Sequence, residues 1–465
     1  MKSTINRLGK ELLLVGIGQA VAAVGSVVGV RLMTGALTPA VYGEVALAIT
    51  FVTLIQQLLI GPLAQALTRY YNFAHEKGEL SRFLGSSVWL AVGISLATLL
   101  ISAAVGVYLW LTTRSTYLGL VFFTLTFALL SGYNILLDSI QTAARQRAVV
   151  AWHQGIGQWL RYLAAVALVV LLGNHPATAL AGYTLSALLV LVSQTYFFRR
   201  KIAAGVMEDM SLRTASVTLA PHCVRCSAGE QSQREEGEIA SSQGLLAMTF
   251  VRSDAEWTAR LVRYALPFAS WGLFTWMQLT SDRWALQTFS GPQAVGLYTV
   301  LYQLGYYPLM MATTVFTQFA EPVLFRQAGD GSEAARVDRA QKNTWRLFFG
   351  VAGMTVLAVA AAALLHGFVF TLFAAPGYRS VSAWLPVMVL SGGMFACGQI
   401  ASTTQLNRGA PQALLGPKIV MGVVGALFNL AGAYWLGLPG VVLAGAAFSA
   451  LYLIWVLLLS RKVHK

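Results

Sequence analysis

Residues 83–111 read FLGSSVWLAVGISLATLLISAAVGVYLWL and contain no charged residue. A helix needs about 20 mainly apolar residues to cross a hydrocarbon core of about 30 Å, so this stretch is long enough to span a bilayer. Similar stretches fill the chain from Leu12 to Ser460, only 11% of the residues are charged, and the mean hydropathy is +0.64. The sequence therefore predicts an all-α polytopic integral membrane protein.

Hydropathy and polar breaks divide the chain into about twelve predicted transmembrane helices. Six precede a polar central segment and six follow it, so we expect two six-helix halves, residues 1–200 and 258–465, joined by a cytoplasmic linker, residues 201–257. The predicted spans are Leu12–Leu32, Glu44–Tyr70, Phe83–Leu111, Leu118–Ala143, Val149–Leu172, Leu180–Phe198, Leu261–Gln287, Leu297–Phe325, Trp345–Phe370, Leu385–Gln405, Ile419–Leu436 and Val441–Ser460.

Positive charge alternates between the two sides of these spans. With the N-terminus in the cytoplasm, the outer segments hold little beyond Arg31, Arg114, Arg283 and Arg379. This asymmetry follows the positive-inside rule, so we expect both termini to be cytoplasmic. The net charge of +14 then reflects topology and contact with anionic headgroups, and nucleic-acid binding is not needed to explain it.

The first apolar segment has features of a signal peptide, because Lys2, Arg7 and Lys10 precede it. The apolar run continues to Leu32, beyond the roughly 7–15 residues of a signal-peptide core. A retained first helix is therefore favoured, and it also keeps the later charges on the correct side.

The central segment changes composition to Ser, Glu, Arg, Gln and Gly between Arg199 and Trp257, which is typical of a linker. It contains a Cys-x-x-Cys pair, Cys223 and Cys226, beside His222. No second ligand pair follows, so two thiols in a linker are favoured over a metal or redox site.

The two halves share a short pattern. Pro39–Gly43 follows span one and Pro292–Gly296 follows span seven, and each is a Pro-x-x-x-Gly turn between two long helices. Its equivalent placement suggests duplication. Repeated halves are a hallmark of alternating-access transporters, whose substrate site lies between the repeats.

Polar side chains within the spans indicate a hydrated interior, because an ionisable group facing lipid is energetically unfavourable. In span five Gln154, Gln158 and Arg161 are spaced i, i+4, i+7 and share one helix face. For any single residue, hydrogen bonding between helices or neutralisation by a nearby opposite charge is an equally good interpretation. Other polar faces comprise Asn134, Asp138, Gln141 and Arg145; Gln65 and Arg69; Thr275, Gln278 and Asp282, followed by Arg283; and Gln303, Gln318 and Glu321.

Arginine outnumbers acidic residues in or near the spans. Arginine suits bidentate contact with phosphate, so a phosphorylated or pyrophosphorylated substrate is favoured over a cation. The arginines are Arg31, Arg161, Arg263 and Arg283, and the acids are Asp138, Asp282 and Glu321.

Several short motifs resemble a known family. RLMTGALTP at residues 31–39 runs into Tyr42-Gly43, and Pro62-Leu63 precedes Arg69-Tyr70-Tyr71. Further matches are YALPF at 264–268, SDRW at 281–284 and VGLY at 295–298. Together they resemble polysaccharide-biosynthesis membrane proteins, the O-antigen flippase branch of the multidrug/oligosaccharidyl-lipid/polysaccharide exporter superfamily. The segment 208–256 departs from that pattern.

The resemblance implies two six-helix lobes in a V around a central cavity lined mainly by spans one, two, seven and eight. The implied cargo is an undecaprenyl-pyrophosphate-linked oligosaccharide (an O-antigen, capsule or exopolysaccharide repeat unit), turned from the cytoplasmic to the periplasmic leaflet of the bacterial inner membrane. Arg31, Arg69, Asp282 and Arg283 match the motifs and become candidate substrate-binding residues. Arg161 joins them through its polar helix face alone.

We expect the two lobes to rock about their interface, with a coupling ion and other polysaccharide-assembly membrane proteins left open as partners. No nucleophile constellation, metal cluster or phosphate loop occurs in the sequence, so neither an enzyme nor a cofactor is predicted. A multidrug or cation exporter of the same superfamily is the nearest alternative, but it should show buried acids in place of the arginine excess. A membrane glycan polymerase should have a large periplasmic loop, whereas the longest soluble segment here is cytoplasmic.

Overall fold

The computed structural model describes residues 2–112, 117–144, 146–218, 254–328, 333–407 and 414–461. These residues form α-helices and short π and 3₁₀ segments, with no β-strand among them. The helices are α1 (Lys2–Ala36), α2 (Pro39–Ile55), α3 (Gly61–Glu76), α4 (Leu80–Leu111), α5 (Leu118–Ala143), α6 (Arg147–Leu172), α7 (Pro176–Thr218), α8 (Ala255–Ala328), α9 (Ala334–Phe373), α10 (Leu385–Asn407), α11 (Leu415–Leu436) and α12 (Leu438–Arg461).

The all-α membrane architecture predicted from hydropathy is confirmed. Ten helical segments among the described residues are long and apolar enough to cross a membrane. The two arms of α8, which meet at Gly291, correspond to predicted spans seven and eight. Together they account for the twelve predicted helices. The predicted span Leu118–Ala143 coincides with α5.

The second span is one long helix with a local distortion. A π-helical turn, Gln56–Ile60, separates α2 from α3, and Pro62 lies in the first turn of α3. Proline has no N–H to donate to the preceding turn, so it loosens the helix at this point. Gln56 turns its amide to Ser131 of α5, and its Nε2 donates to Oγ at 3.1 Å. This distortion therefore presents polar groups inside the bundle.

The turn between spans seven and eight is fixed by glycine. Gly291 has φ 79° and ψ 176°, which side-chain-bearing residues rarely adopt. It is followed at once by Pro292, which starts the second arm of α8. The two helical arms of α8 therefore meet at a kink at Gly291.

The two Pro-x-x-x-Gly segments, predicted as turns between helices, form the first helical turns of α2 and of the second arm of α8, and they pack against each other. A methyl group on Gly43 would overlap the carbonyl oxygen of Pro292, and a methyl group on Gly296 would overlap the carbonyl oxygen of Pro39. The contact is thus reciprocal, and glycine lets the two backbones approach this closely. It lies at what we call the outer end of the bundle, which the predicted orientation places outside the cytoplasm.

The two halves also contact each other at the opposite end. Trp257 of α8 donates its indole N–H to Glu79 Oε2 at 3.1 Å. Its ring packs edge-on against Phe83 and Tyr70, with ring centroids 5.4 and 6.3 Å apart. The backbone N–H of Asp254 donates to Ser86 Oγ at 3.0 Å. The start of α8 is therefore anchored to α3 and α4 of the first half.

The first part of the predicted linker is helical. Helix α7 continues past Phe198, the predicted end of span six, and reaches Thr218. Cys223 and Cys226 lie outside the described residues, as does most of the segment 208–256. The boundaries 1–200, 201–257 and 258–465 remain a prediction.

Candidate functional site

A central cavity of about 540 Å³ lies between the two halves of the chain. Its walls come from α1 and α6 of the first half and from both arms of α8. Arg161 and Arg283 line it from opposite halves, together with Gln19, Gln158, Tyr302, Gln303 and Tyr307. Spans one, two, seven and eight were predicted to line such a cavity. Spans one, seven and eight do so, span two contributes no lining residue among the described part of the chain, and α6 supplies a wall that the resemblance did not imply.

Arg161 enters the cavity from α6, one turn beyond Gln158. Its guanidinium lies over the rings of Phe127 and Tyr183, with the carbon Cζ 5.5 and 5.9 Å from the ring centroids. Among the described residues it forms no ion pair. The aromatic faces hold a guanidinium through its cation–π attraction and leave its N–H groups available to an anion.

Arg283 enters from the first arm of α8. Its Nη1 donates to the carbonyl oxygen of Leu279 at 2.9 Å and lies 3.5 Å from Asp282 Oδ1. The guanidinium lies 5.0 Å from the ring centroid of Tyr302. The side chains of Asp282 and Arg283 are only 9% and 14% exposed, so this is a buried, partly neutralised cation.

Asp282 itself faces away from the central cavity. It lines a small cavity of about 50 Å³ within the second half, next to Gln278, Tyr298 and Asn429. Its Oδ1 accepts the backbone N–H of Arg283 at 2.7 Å. Asp282 therefore positions Arg283 and neutralises part of its charge, and it does not line the central cavity that Arg161 and Arg283 share.

A polar cavity of about 330 Å³ adjoins the central one within the first half and shares Arg161 and Gln158 with it. Asp138 accepts hydrogen bonds from Gln154 Nε2 at 3.1 Å and from Gln194 Nε2 at 2.7 Å. The side-chain oxygens of Asn134 and Gln194 are buried and have no hydrogen-bond partner among the described residues. The polar faces predicted for spans four and five thus meet in one cavity.

Arg31 lies away from the central cavity, at the outer end. Its Nη1 donates to the carbonyl oxygen of Ala374 at 2.8 Å, just past the end of α9. Beside it the backbone N–H of Ala375 donates to Thr34 Oγ1 at 3.2 Å, and Tyr378 donates to the carbonyl of Leu37 at 2.9 Å. A cation on the last carbonyls of a helix is favourable, so Arg31 joins the two halves here.

Arg69 lies at the opposite end, in an open cavity of about 960 Å³. Arg260 and Arg263 of α8 line the same cavity, with Tyr70 and Tyr264, whose ring centroids are 5.5 Å apart. Arg69 therefore lies at a basic, aromatic mouth between the halves.

The structure thus brings two of the five predicted site residues, Arg161 and Arg283, into one cavity, and places the other three elsewhere. Sequence reasoning missed Gln19 and Tyr162, which also line the central cavity. The sequence signal for Gln19 is that it is a polar residue midway along the first apolar span. The side chains of Gln318 and Glu321 lie outside those the structure describes.

Comparison by sequence matches the first half of the chain to a known family. A family model described as polysaccharide biosynthesis protein matches residues 8–225. A search of curated proteins finds no match.

Comparison by structure extends over nearly the whole chain. The lipid II flippase MurJ in an inward closed conformation has a TM-score of 0.66 at 12% sequence identity, covering 97% of this chain and 88% of that one. A multidrug resistance MATE family transporter of the MOP superfamily in its inward-facing conformation has a TM-score of 0.63 at 14% identity, covering 96% and 94%. The outward-facing conformation gives 0.60 at 15%, covering 97% and 95%.

The fold, two six-helix lobes around a central cavity, is therefore the one seen in the MATE family transporter and in the lipid II flippase MurJ. Within it, the first half matches the polysaccharide biosynthesis protein family. The resemblance found in the sequence motifs is confirmed at both levels. The solved structures that share this fold are those of transporters and of a flippase.

Proposed function

We propose that the protein is a flippase for an undecaprenyl-pyrophosphate-linked oligosaccharide in the bacterial inner membrane. The observation that carries this proposal is the placement of Arg161 and Arg283, one from each half, in the wall of one central cavity. Two guanidiniums in the wall of one cavity suit a pyrophosphate, which offers several oxygens to bidentate donors. The names of the matched family and of the lipid II flippase support a lipid-linked glycan as the cargo.

The charge of the cavity favours an anion. An ionised group within a membrane protein is unfavourable unless it is paired or hydrated. Arg283 has one carboxylate partner at 3.5 Å, and Arg161 has none among the described residues. The excess positive charge would be neutralised by the phosphates of the cargo.

Aromatic and amide side chains would accommodate the glycan. Tyr302 lines the central cavity and is stacked on Tyr306, which lines the small cavity beside Asp282, with ring centroids 4.8 Å apart and planes at 17°. Gln303 accepts a hydrogen bond from the Tyr42 hydroxyl at 2.8 Å, which fixes one wall of the cavity. Sugar rings pair an apolar face with hydroxyl groups, so tyrosine rings and glutamine amides would complement them, while the lipid tail stays in the bilayer.

The two ends of the bundle suggest the sequence of events. Arg69, Arg260 and Arg263 at the cytoplasmic mouth would attract the pyrophosphate before it reaches Arg161 and Arg283. Release on the other side requires the outer contacts, including the Arg31 bond to Ala374, to separate. Both lobes would then rock about their interface, as in alternating access.

Asp138 offers a place for a coupling cation. Its carboxylate shares a cavity with the unpartnered oxygens of Asn134 and Gln194. Oxygen atoms of this kind would ligate a hard cation or hold a proton. The neighbouring Arg161 would connect that site to the cargo.

The test is genetic deletion followed by complementation. We expect the deletion strain to lose surface polysaccharide and to accumulate undecaprenyl-pyrophosphate oligosaccharide on the cytoplasmic face. The native gene should restore both, whereas an Arg161→Ala/Arg283→Ala variant of equal abundance should not. Unchanged polysaccharide with greater sensitivity to cationic drugs would overturn the proposal in favour of a drug exporter. Flipped but unpolymerised repeat units would instead indicate a polymerase.

A further inference from the structure

A second basic cavity, of about 490 Å³, lies between the end of α8 and the start of α9. Arg336, Arg339, Lys342 and Arg346 line it from α9, and Gln327 faces them from α8. The four cations recur every three or four residues, so they share one face of the helix. None of the residues that line this cavity lines the central one.

Hydrogen bonds fix the walls of this basic cavity. Asn343 Nδ2 donates to Gln327 Oε1 at 2.9 Å, which ties α9 to α8. Arg336 Nε donates to the carbonyl oxygen of Gln327 at 3.3 Å. Arg346 Nη1 donates to Asn343 Oδ1 at 3.2 Å, so this guanidinium is oriented by the same bridge.

Among the described residues, two of the four cations have a carboxylate partner and the other two have none. Arg336 lies 3.8 Å from Glu333, and Lys342 lies 2.9 Å from Asp338. Arg339 and Arg346 form no ion pair within the described part of the chain. Their guanidiniums therefore leave positive charge in the cavity that an anionic phosphate would neutralise through charge-assisted hydrogen bonds.

The same helix face continues as an apolar track. Arg346 is followed at i+4, i+7, i+11 and i+18 by Gly350, Gly353, Leu357 and Leu364, which keeps all five on one side. Leu357 and Leu364 are not covered by the rest of the protein and are 73% and 84% exposed on its surface. No atom lies within 4 Å of the position that a side chain on Gly350 or Gly353 would occupy. An open, apolar strip thus begins at the basic cavity and runs along the membrane-spanning part of α9.

We infer that this cavity binds an anionic phospholipid of the cytoplasmic leaflet. The headgroup phosphate lies between Arg339 and Arg346, and an acyl chain lies along Gly350, Gly353 and Leu357. Basic clusters immediately cytoplasmic of a transmembrane helix attract anionic headgroups. The lipid-linked cargo fits this position less well, because the cavity does not share a residue with the central one.

The test measures lipid binding to the full-length protein by native mass spectrometry, after reconstitution in phosphatidylglycerol nanodiscs. For an Arg339→Gln/Arg346→Gln variant we expect the apparent dissociation constant for phosphatidylglycerol to rise about tenfold or more. An Arg339→Lys/Arg346→Lys variant should retain most of the binding, since it keeps the charge. An Arg82→Gln/Arg199→Gln variant removes two other exposed cations near predicted cytoplasmic helix ends and should bind as the parent does.

Phosphatidylethanolamine, which carries no net charge, should bind equally to all four proteins. Equal phosphatidylglycerol binding by the parent and Arg339→Gln/Arg346→Gln would overturn the inference. An equal loss in Arg82→Gln/Arg199→Gln would do so too, because it would show a general effect of charge. Displacement of phosphatidylglycerol from this cavity by undecaprenyl pyrophosphate would assign the site to the cargo instead. A matching melting temperature confirms that each variant is folded.

Discussion

Arg161 and Arg283 face the same cavity from opposite halves of the chain, yet they are held in different ways. Arg283 rests against Asp282 at 3.5 Å, whereas Arg161 lies over the rings of Phe127 and Tyr183. One guanidinium is therefore partly neutralised by the protein, and the other has only aromatic faces beside it. This difference gives the two arginines separable roles in binding an anion.

Replacing Arg161 with glutamine should lower translocation more than replacing Arg283, because Arg161 carries the less compensated charge. We expect a loss of about tenfold or more for Arg161→Gln, since charge-assisted hydrogen bonds to phosphate are among the strong ones. The loss is measured as the rate at which a fluorescent undecaprenyl-pyrophosphate oligosaccharide is translocated in proteoliposomes. Arg82→Gln is the matched control, because Arg82 is exposed and lines neither the central cavity nor the adjoining polar one. Equal rates for Arg161→Gln and this control would contradict the prediction.

Asp282→Asn should destabilise the second half, because it leaves the buried Arg283 without its carboxylate. Asparagine keeps an oxygen that can accept the backbone N–H of Arg283, so the change removes mainly charge. A loss of about 2–3 kcal/mol is typical when a buried charged partner is removed. The loss of stability is measured by thermal unfolding in detergent. The double variant Asp282→Asn/Arg283→Gln should recover part of the loss, and strictly additive effects would show that the pair is not coupled.

Asp138→Asn should uncouple translocation from an ion gradient while leaving cargo binding intact. The carboxylate is replaced by an amide of similar size, so the cavity keeps its shape and loses its charge. Translocation is compared in proteoliposomes with and without sodium or proton gradients. Ser139→Ala, next to Asp138 on α5, is the matched control because it leaves the charge of the cavity unchanged. Gradient-stimulated transport by Asp138→Asn at the parental rate would exclude Asp138 as the coupling site.

Arg31→Ala should loosen the outer end without weakening cargo binding. Its guanidinium bonds the end of α9, so its loss removes a contact between the halves. The test places a cysteine at Val45, which is 2% exposed, in a background with Cys223, Cys226 and Cys397 replaced. A membrane-impermeant maleimide should label this cysteine several-fold faster when Arg31→Ala is added. Unchanged labelling together with weaker cargo binding would return Arg31 to the substrate site.

Gly43→Ala and Gly296→Ala should each disturb the outer end, since a methyl group at either position overlaps a proline carbonyl. Both variants should lower the melting temperature and reduce translocation. Gly35→Ala is the matched control, because no atom lies within 4 Å of its added methyl group. If all three variants behave alike, the close approach of the two turns is not important for stability.

The helices could be predicted from the sequence because membrane crossing depends on local composition. The span Leu118–Ala143 appears as predicted, whereas the predicted turn Pro292–Gly296 is helical and the break lies just before it, at Gly291. The same reasoning placed Arg161 inside the bundle, since Gln154, Gln158 and Arg161 share one helix face. The continuation of α7 to Thr218 was missed because polar helices lack a hydropathy signal.

The position of a charged residue at a helix end could not be predicted in the same way. Arg31 and Arg283 both lie at predicted outer ends and both belong to motifs of the family, yet Arg31 bonds a helix terminus and Arg283 lines the central cavity. The difference depends on which helix lies opposite, and that is a property of packing between distant segments. Asp282 was likewise assigned to the site by its motif, whereas its side chain faces another cavity.

The contact between Gly43 and the carbonyl of Pro292, matched by that between Gly296 and the carbonyl of Pro39, has the form of an isologous dimer interface. In each segment the glycine contacts the proline carbonyl of the other segment, so both segments use the same surface. A single six-helix unit with this turn already carries both sides of its own interface. Fusion of two copies of such a unit would therefore retain this contact at the outer end.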